Sequence, residues 1–163
     1  MNEFARRTIK TMTERSLSLA TAESLTGGLL GAVLTSVPGA SACFLGTVVS
    51  YATPMKKAML GVSKELIADH TVVSEEVALA MAIGVQDLTH ADWVVAVTGV
   101  AGPDPQEGHE PGEVWICVQG PRVASFPQFS QAQQFFFEGD REAIRLATVD
   151  AALQMLLRVV SPV

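Results

Sequence analysis

A serine in a glycine-rich turn is the part of this chain whose residue types most favour chemistry. Ser24 follows an apolar run that ends at Ala22, and Thr26-Gly27-Gly28 opens a second apolar run. This pattern predicts a buried strand, a tight turn and a helix with Thr26 as its N-cap. Glycines in the first helical turn leave backbone N–H groups open to a close ligand, and a helix N-terminus attracts a phosphate or a developing oxyanion. Ordinary capping of a Ser/Thr-rich turn is the alternative.

Lys56 is the candidate base for Ser24, because a serine hydroxyl needs a neighbouring group to remove its proton. The sequence has no Gly-x-Ser-x-Gly elbow at Ser24 and no histidine placed for a Ser-His-Asp triad, which leaves the Ser-Lys pairing. Thr53-Pro54 predicts a helix with Thr53 as N-cap, and the helix dipole disfavours a charged amine in its first turn. Tyr51 could lie between Lys56 and Ser24 and relay the proton. The alternative is that Lys56 and Lys57 are solvated and Tyr51 is an interfacial aromatic residue.

Two arginines at a predicted helix start form a second candidate group. Asp140 is a suitable N-cap, yet Arg141 follows it at the end of the helix dipole that disfavours positive charge. Arg141 and Arg145 are also spaced i,i+4, which places two like charges on one face. A bound phosphate or carboxylate would relieve both problems through paired hydrogen bonds. The alternative is neutralisation by the acidic neighbours Glu138, Asp140 and Glu142.

A loop of small residues follows the predicted strand over 92–98. It reads Thr98-Gly99-Val100-Ala101-Gly102-Pro103, and its small side chains let the backbone approach a ligand closely. Ligands of open α/β sheets bind beyond the carboxyl ends of the strands. The turn at Ser24, Tyr51 and this loop all follow strand ends, so they meet at one edge if their strands are parallel.

Segments typical of strands and helices alternate along most of the chain. Asp92–Thr98 is a continuous apolar run, typical of a strand buried on both faces. The segments after it follow one another as strands, which indicates an antiparallel portion. The alternation predicts an α/β sandwich with a mixed sheet. Strands are predicted over 17–22, 43–51, 92–98, 113–119, 122–126 and 133–138, and helices are predicted to begin near 3, 26, 53, 63, 74 and 140.

Length and composition bound the function classes. A chain of 163 residues predicts one domain over 1–163, and a formal net charge of −6 disfavours nucleic acid as the main partner. The apolar runs are too short to span a membrane. The three histidines and two cysteines share no metal-ligand spacing, so we expect neither a metal nor another cofactor. No secretory signal pattern is present at the start, so we expect a cytoplasmic protein.

Seven short motifs follow one another through most of the chain. They are Ala22-Glu-Ser-Leu-Thr-Gly-Gly28, Val37-Pro-Gly-Ala-Ser41, Tyr51 with Lys56 and Met59-Leu-Gly-Val62, Val73-Ser-Glu-Glu76, Thr98-Gly-Val-Ala-Gly-Pro-Asp104, Gly112-Glu-Val-Trp115 and Gly139-Asp-Arg141. In this order and spacing they resemble the C-terminal domain family of CinA, whose members are nicotinamide-nucleotide amidohydrolases. The resemblance covers about 21–157, and the chain looks like the stand-alone form without the larger N-terminal domain of fused members.

The resemblance implies a three-layer α/β/α sandwich with a mixed, mostly parallel sheet. It also implies hydrolysis of the carboxamide of nicotinamide mononucleotide to nicotinate mononucleotide and ammonia. The family's serine nucleophile falls on Ser24, its tyrosine on Tyr51 and its lysine on Lys56. The substrate-binding arginine falls on Arg141. Two further sets of residues are expected at the nucleotide site, the backbone donors Thr26, Gly27 and Gly28 and the loop residues Thr98, Gly99, Ala101 and Gly102.

The sequence also leads to expectations about binding partners, and it departs from the family's motifs at two places. We expect a small nucleotide as substrate, no nucleic acid or membrane partner, and a homo-oligomer that is a dimer or larger. Leu25 stands where the family usually has cysteine, beside the nucleophile, and Pro105–Gly108 replaces a usual glycine pair. The second change bears on the loop rim and on substrate choice. The rival hypothesis is a catalytically weak or inactive relative that binds a nucleotide or serves in assembly.

Overall fold

A five-stranded sheet between two layers of helices forms the protein. The computed structural model describes residues 2–124 and 126–161. Within these residues the main elements are α1 (Glu3–Glu14), β1 (Leu19–Glu23), α2 (Leu29–Thr35), β2 (Phe44–Val49), α3 (Thr53–Leu60), α4 (Lys64–His70), α5 (Glu75–Thr89), β3 (Trp93–Gly99), β4 (Glu113–Gln119), β5 (Arg122–Val123), β6 (Phe126–Pro127), β7 (Ser130–Phe136) and α6 (Arg141–Val160), with a short 3₁₀ turn at Ala40–Ala42.

The strand order of the main sheet is β2-β1-β3-β4-β7. The three strands β2, β1 and β3 run parallel, β4 runs against them, and β7 runs against β4. All strands except β4 therefore point the same way. The predicted mixed, mostly parallel sheet is confirmed, and so are the three layers, because α1, α2 and α6 cover one face and α3, α4 and α5 the other.

The helical spacing of Val77, Met81, Val85 and Leu88 predicts a buried stripe on α5, and this prediction is correct over most of the helix. Val77, Met81 and Val85 are fully buried against the sheet, whereas Leu88 is 61% exposed. The buried side of the helix continues through Ala82 and Gln86 instead. The expectation for Leu88 was wrong because the buried stripe drifts around the helix axis as it approaches the helix end.

The antiparallel half of the sheet differs in detail from the prediction. The predicted strand over 122–126 is replaced by the short pair β5 and β6, which stands apart from the main sheet, and Ser125 lies outside the described residues. The last strand covers 130–136 instead of 133–138. Its pairing with β4 sets these limits, since Glu113 pairs with Phe136 and Gln119 pairs with Ser130.

The connections leave a crevice at the carboxyl end of β1. The chain passes from β1 to β2 through α2 on one face, and from β2 to β3 through α3, α4 and α5 on the other face. Because β2 and β3 lie on opposite sides of β1, the winding reverses there, and such reversals are where ligands bind in open sheets. The predicted convergence is confirmed, since Glu23 pairs with Val49 and with Val97 at this edge.

The carboxylate of Glu23 holds the start of α2. It is fully buried and accepts five hydrogen bonds, three from backbone N–H groups and two from threonine hydroxyls. The donors are Gly28 N at 3.0 Å, Leu30 N at 3.0 Å, Gly31 N at 2.8 Å, Thr26 Oγ1 at 2.7 Å and Thr47 Oγ1 at 2.9 Å. A negative charge at a helix N-terminus interacts favourably with the helix dipole, so this contact stabilises α2 electrostatically as well.

The predicted N-cap of α2 was wrong. Gly28, with φ 100°, occupies that position, and α2 begins at Leu29. The hydroxyl of Thr26 donates to Glu23 instead of accepting a bond from the helix. A similar displacement affects α3, whose N-cap is Ala52, so the helix already includes Thr53.

Replacement of Glu23 with glutamine (Glu23→Gln) is expected to lower the free energy of unfolding by about 2–4 kcal/mol. The amide keeps one acceptor oxygen and turns an NH₂ group towards buried donors. Urea denaturation measures the effect, with Asp69→Asn on an exposed position of α4 as control, expected within about 0.5 kcal/mol of the wild type. Equal stability of the two variants would contradict a structural role for the Glu23 carboxylate.

Candidate active site

A cavity of about 590 Å³ lies at the carboxyl ends of β1, β2 and β3. Eight of the residues predicted for the site line it, and they come from four separate segments. They are Ser24, Tyr51, Lys56, Thr98, Gly99, Ala101, Gly102 and Arg141. The structure therefore brings the predicted nucleophile, base, glycine loop and arginine to one place.

Lys56 and Ser24 are in direct contact. The Lys56 Nζ lies 2.8 Å from Ser24 Oγ and also donates to the carbonyl oxygen of Ser50 at 2.9 Å. Only 2% of the Lys56 side chain surface is exposed, although the residue belongs to a short helix at the edge of the cavity. The predicted pair is thus close enough for proton transfer.

Burial makes the Lys56 amine a weaker base than that of an ordinary lysine, because it binds its proton less tightly. Desolvation lowers its pKa from 10.5 to about 8, while the negative charge of Glu107 acts in the opposite direction. The neutral amine is therefore available near physiological pH. In that state the Ser24 hydroxyl can donate to Nζ, whereas the protonated amine can only donate to Oγ.

Backbone bonds fix the turn that carries Ser24. Its N–H donates to Val97 on the neighbouring strand at 3.1 Å, and its carbonyl accepts from Gly27 N at 3.0 Å. The neighbouring Glu23 carbonyl accepts from Ser50 N at 2.9 Å. Ser24 is consequently held between β2 and β3, on the side of the strand end opposite to the Glu23 carboxylate.

The glycine N–H groups expected to stay open are already bonded. Gly27 N donates to Ser24 and Gly28 N donates to Glu23, and neither residue lines the cavity; nor does the buried Thr26. Within the described residues, the backbone N–H of Leu25 has no acceptor, and Leu25 does line the cavity. The candidate oxyanion donor is therefore the N–H of Leu25, directly after Ser24, instead of the N–H groups of the two glycines.

Tyr51 does not stand between the serine and the lysine. Its side chain is 55% exposed, and its Oη accepts a hydrogen bond from Arg141 Nη2 at 2.7 Å. Arg141 Nη1 donates to the carbonyl oxygen of Gly102 at 2.6 Å. The expected relay position is not observed, because Lys56 already contacts Ser24 directly.

The two arginines at the start of α6 have separate surroundings. Asp140 caps the helix as predicted and accepts from Ala143 N at 2.9 Å. Arg141 reaches the cavity, whereas Arg145 donates to the carbonyl oxygen of Thr26 at 2.7 Å and supports the glycine turn. Neither arginine forms an ion pair within the described residues, so the alternative of local neutralisation by Glu138, Asp140 and Glu142 is not observed there.

Close packing explains the small residues of the loop after β3. A side chain at Gly99 would place its Cβ 2.6 Å from the carbonyl oxygen of Glu113, well inside contact distance. The preceding Thr98 is buried and donates its hydroxyl to the Val72 carbonyl at 2.7 Å. These contacts hold the loop against the neighbouring segment and leave its backbone facing the cavity.

The sequence analysis connected the segment 105–108 with the loop rim, but it assigned no role to the individual residues that anchor this rim. Asp104 and Gln106 line the cavity, and the next residue, Glu107, accepts from Val72 N at 2.9 Å. These polar side chains lie on an irregular loop, where no periodicity marks their orientation. The available signals were the length of the loop, which is typical of binding loops, and the departure from the family's motif at Pro105–Gly108.

His109 forms the second anchor of that rim. Its Nε2 lies 2.7 Å from Thr71 Oγ1 and its Nδ1 lies 2.9 Å from Glu113 Oε1. The connectivity is that of a hydrolase triad, and Thr71 has a φ of 66°. However, the N–H after Thr71, at Val72, is bonded to Glu107 and cannot serve an oxyanion. The network therefore connects the rim loop to the segment after α4.

Other titratable groups lie away from this chemistry. Burial raises the pKa of the Cys117 thiol to about 12 and also raises that of Cys43. Residues 2–124 and 126–161 contain no group of three His, Cys, Asp or Glu side chains placed to hold a metal ion. No helix in that part of the chain is long and apolar enough to cross a membrane.

The buried amine predicts an unusual pH dependence of stability. Unfolded Lys56 keeps its proton up to its ordinary pKa of 10.5, whereas the folded protein loses it near pH 8, so folding releases a proton between these values. The folded state therefore gains stability as pH rises through this window. Relative to Lys56→Met, the wild type should gain about 2 kcal/mol from roughly pH 7.5 to 9.5.

Denaturant melts of both proteins at each pH measure this gain. Lys57→Met is the matched control, since Lys57 is exposed on the same helix and should produce no such trend. A difference between wild type and Lys56→Met that stays constant with pH would contradict the lowered pKa.

Known proteins match this chain over nearly its full length. A family model of the CinA C-terminal domain matches residues 1–160. A CinA-like protein of Frankia casuarinae is 43% identical over 150 residues, 92% of this chain and 33% of that protein. A CinA-like protein of Geotalea uraniireducens is 40% identical over 144 residues, 88% of this chain and 33% of that protein. The chain spans about a third of the length of these curated relatives.

Solved structures agree with the fold. A competence-damaged protein (CinA) superfamily protein from Klebsiella pneumoniae has a TM-score of 0.92 and 31% identity, covering 99% of both chains. A competence/damage inducible protein from Agrobacterium tumefaciens has a TM-score of 0.88 and 36% identity, covering 96% of this chain and 93% of that one. The chain therefore belongs to the CinA C-terminal domain family.

Proposed function

We propose that the protein is a metal-independent amidohydrolase that converts nicotinamide mononucleotide to nicotinate mononucleotide and ammonia. The observation that carries the proposal is the 2.8 Å contact between the buried Lys56 Nζ and Ser24 Oγ at a cavity. A nucleophile in hydrogen-bond contact with a base of lowered pKa is the arrangement that acyl transfer requires. The choice of substrate follows the family resemblance of the motifs that carry these residues, together with Arg141 at the same cavity.

Acylation uses the neutral amine of Lys56. Nζ takes the proton of Ser24 as Oγ attacks the carboxamide carbon, and the tetrahedral adduct carries an oxyanion. The N–H of Leu25, directly after the nucleophile, is the donor we assign to that oxyanion. The protonated Lys56 then gives its proton to the amide nitrogen, the C–N bond breaks, ammonia leaves, and an ester joins the acyl group to Ser24.

Deacylation repeats the same proton path with water as nucleophile. A water molecule attacks the ester carbon while Lys56 takes its proton, and collapse of the adduct breaks the bond to Ser24 Oγ. Lys56 returns the proton to Oγ, and the released acid ionises to nicotinate mononucleotide. The neutral amine of Lys56 is the form that acts as the base, and it becomes populated as pH rises through about 8.

Arg141 is proposed to bind the phosphate of the substrate. Its guanidinium lies at the cavity wall and is held there by the Gly102 carbonyl and by Tyr51. Two of its five N–H groups are used in these bonds, which leaves three for a phosphate. Arginine recognises phosphate oxygens through paired, charge-assisted hydrogen bonds.

Ser24→Ala and Lys56→Ala are both expected to abolish ammonia release from nicotinamide mononucleotide, since one removes the nucleophile and the other its base. Lys57→Ala should retain wild-type activity, because Lys57 is exposed on the same helix. Ammonia is measured with purified proteins in the presence of EDTA. Full turnover by folded Ser24→Ala would exclude the covalent mechanism, and equal losses at both lysines would exclude a positioned base. Inactivation of the wild type by EDTA would contradict metal independence.

Arg141→Ala is expected to reduce kcat/KM for nicotinamide mononucleotide by about ten- to a hundred-fold, equivalent to ~1.5–3 kcal/mol. Turnover of the phosphate-free nucleoside, nicotinamide riboside, should hardly change. The ratio of kcat/KM for the two compounds isolates the phosphate contact from any loss of stability. An unchanged ratio would show that Arg141 does not bind the phosphate.

A further inference from the structure

The contact between Tyr51 and Arg141 joins two distant parts of the chain at the cavity mouth. Tyr51 follows β2, and Arg141 is the first residue of α6. Both line the cavity, and the Tyr51 Oη accepts from Arg141 Nη2 at 2.7 Å. A second acceptor, the Gly102 carbonyl, takes the other terminal nitrogen at 2.6 Å. Two acceptors on different nitrogens fix the plane of the guanidinium.

The guanidinium of Arg141 has no ion-pair partner among the residues that the structure describes. None of the ion pairs formed within residues 2–124 and 126–161 involves Arg141, and both of its observed acceptors are uncharged. A guanidinium that is fixed at a cavity wall by uncharged acceptors is suited to an anion from the solvent.

The hydroxyl of Tyr51 can also act as a hydrogen-bond donor. Its oxygen accepts from Arg141, so its own O–H remains available as a donor. The Lys56–Ser24 contact of 2.8 Å leaves no gap that Tyr51 would have to bridge in proton transfer. The hydroxyl is therefore placed for substrate binding beside Arg141.

We propose that Tyr51 is a positioning and binding residue that fixes the Arg141 guanidinium and donates its O–H to the same phosphomonoester group. This inference rests on the proposed function, and it assigns Tyr51 to the phosphate end of the substrate instead of to proton transfer. Tyrosine and arginine then form an anion clamp, a name used here for Tyr51, Arg141 and the Gly102 carbonyl. The clamp selects substrates that carry a terminal phosphate.

Tyr51→Phe separates the two roles, since it removes the hydroxyl and keeps the ring. With nicotinamide mononucleotide, KM should rise about ten-fold while kcat changes less than about two-fold. With nicotinamide riboside, neither constant should change by more than about two-fold. The pH at which kcat reaches half its maximum should be the same in wild type and variant. A fall in kcat for both compounds, or a displaced pH profile, would overturn the clamp and favour a proton relay.

A double-mutant cycle tests whether Tyr51 acts through Arg141. If it does, Tyr51→Phe in the Arg141→Ala background should lower kcat/KM for the mononucleotide by clearly less than the roughly ten-fold expected in the wild-type background, because only the direct O–H contact to the phosphate is then left to lose. Independent, multiplicative losses would overturn the positioning role.

Binding without turnover keeps this test separate from the proposed function. In the Ser24→Ala background, calorimetry with nicotinamide mononucleotide should show about ten-fold weaker binding for Tyr51→Phe, with nicotinamide riboside unaffected. Equal binding of the mononucleotide by both proteins would overturn the clamp. Failure of the wild type to release ammonia from either compound would overturn the proposed function, and the binding comparison would still decide on the clamp.

Discussion

The capping of α2 by the buried Glu23 carboxylate is the interaction on which the site depends. It joins the end of β1 to the start of α2 and, through Thr47, to β2. Unpaired N–H groups at a buried helix start would be costly, and the carboxylate satisfies three of them. Because successive side chains of a strand face opposite ways, Ser24 is directed towards α3, where Lys56 lies. One residue of the strand end, Glu23, thus holds the helix start, and the next, Ser24, contacts Lys56 on the other side.

The burial of Lys56 determines the protonation state of the amine that contacts Ser24. A lysine in water would be charged at neutral pH and could not accept the Ser24 proton. Desolvation disfavours the ammonium form, and the Ser50 carbonyl keeps the amine oriented while the pKa falls. The fold has to supply this environment, because the neighbouring Lys57 has the same side chain but is exposed to solvent.

Much of the fold was predictable because local patterns and tertiary packing agree. The correct α/β architecture follows from the apolar run at β3, the helix start near Ser74 and the cap Asp140. The motifs also indicated Ser24 and Lys56 as a pair, and the two side chains are in contact. The start of α2 was mispredicted because its cap comes from the side chain of Glu23, outside the local capping rules. The contact between Tyr51 and Arg141 joins residues 90 positions apart, so no local pattern reports it.

The cavity has a rigid base and a separately anchored rim. Ser24 and Lys56 belong to the buried sheet and its helices, while the rim loop is held to the segment after α4 by Glu107 and His109. Substitutions in the rim can alter the shape of the entrance without moving the reacting atoms, because no hydrogen bond of the Ser24–Lys56 pair depends on the rim in the described residues. The shape of the entrance can therefore vary while the Ser24–Lys56 contact is kept, with one exception: the negative charge of Glu107 acts from the rim on the pKa of Lys56.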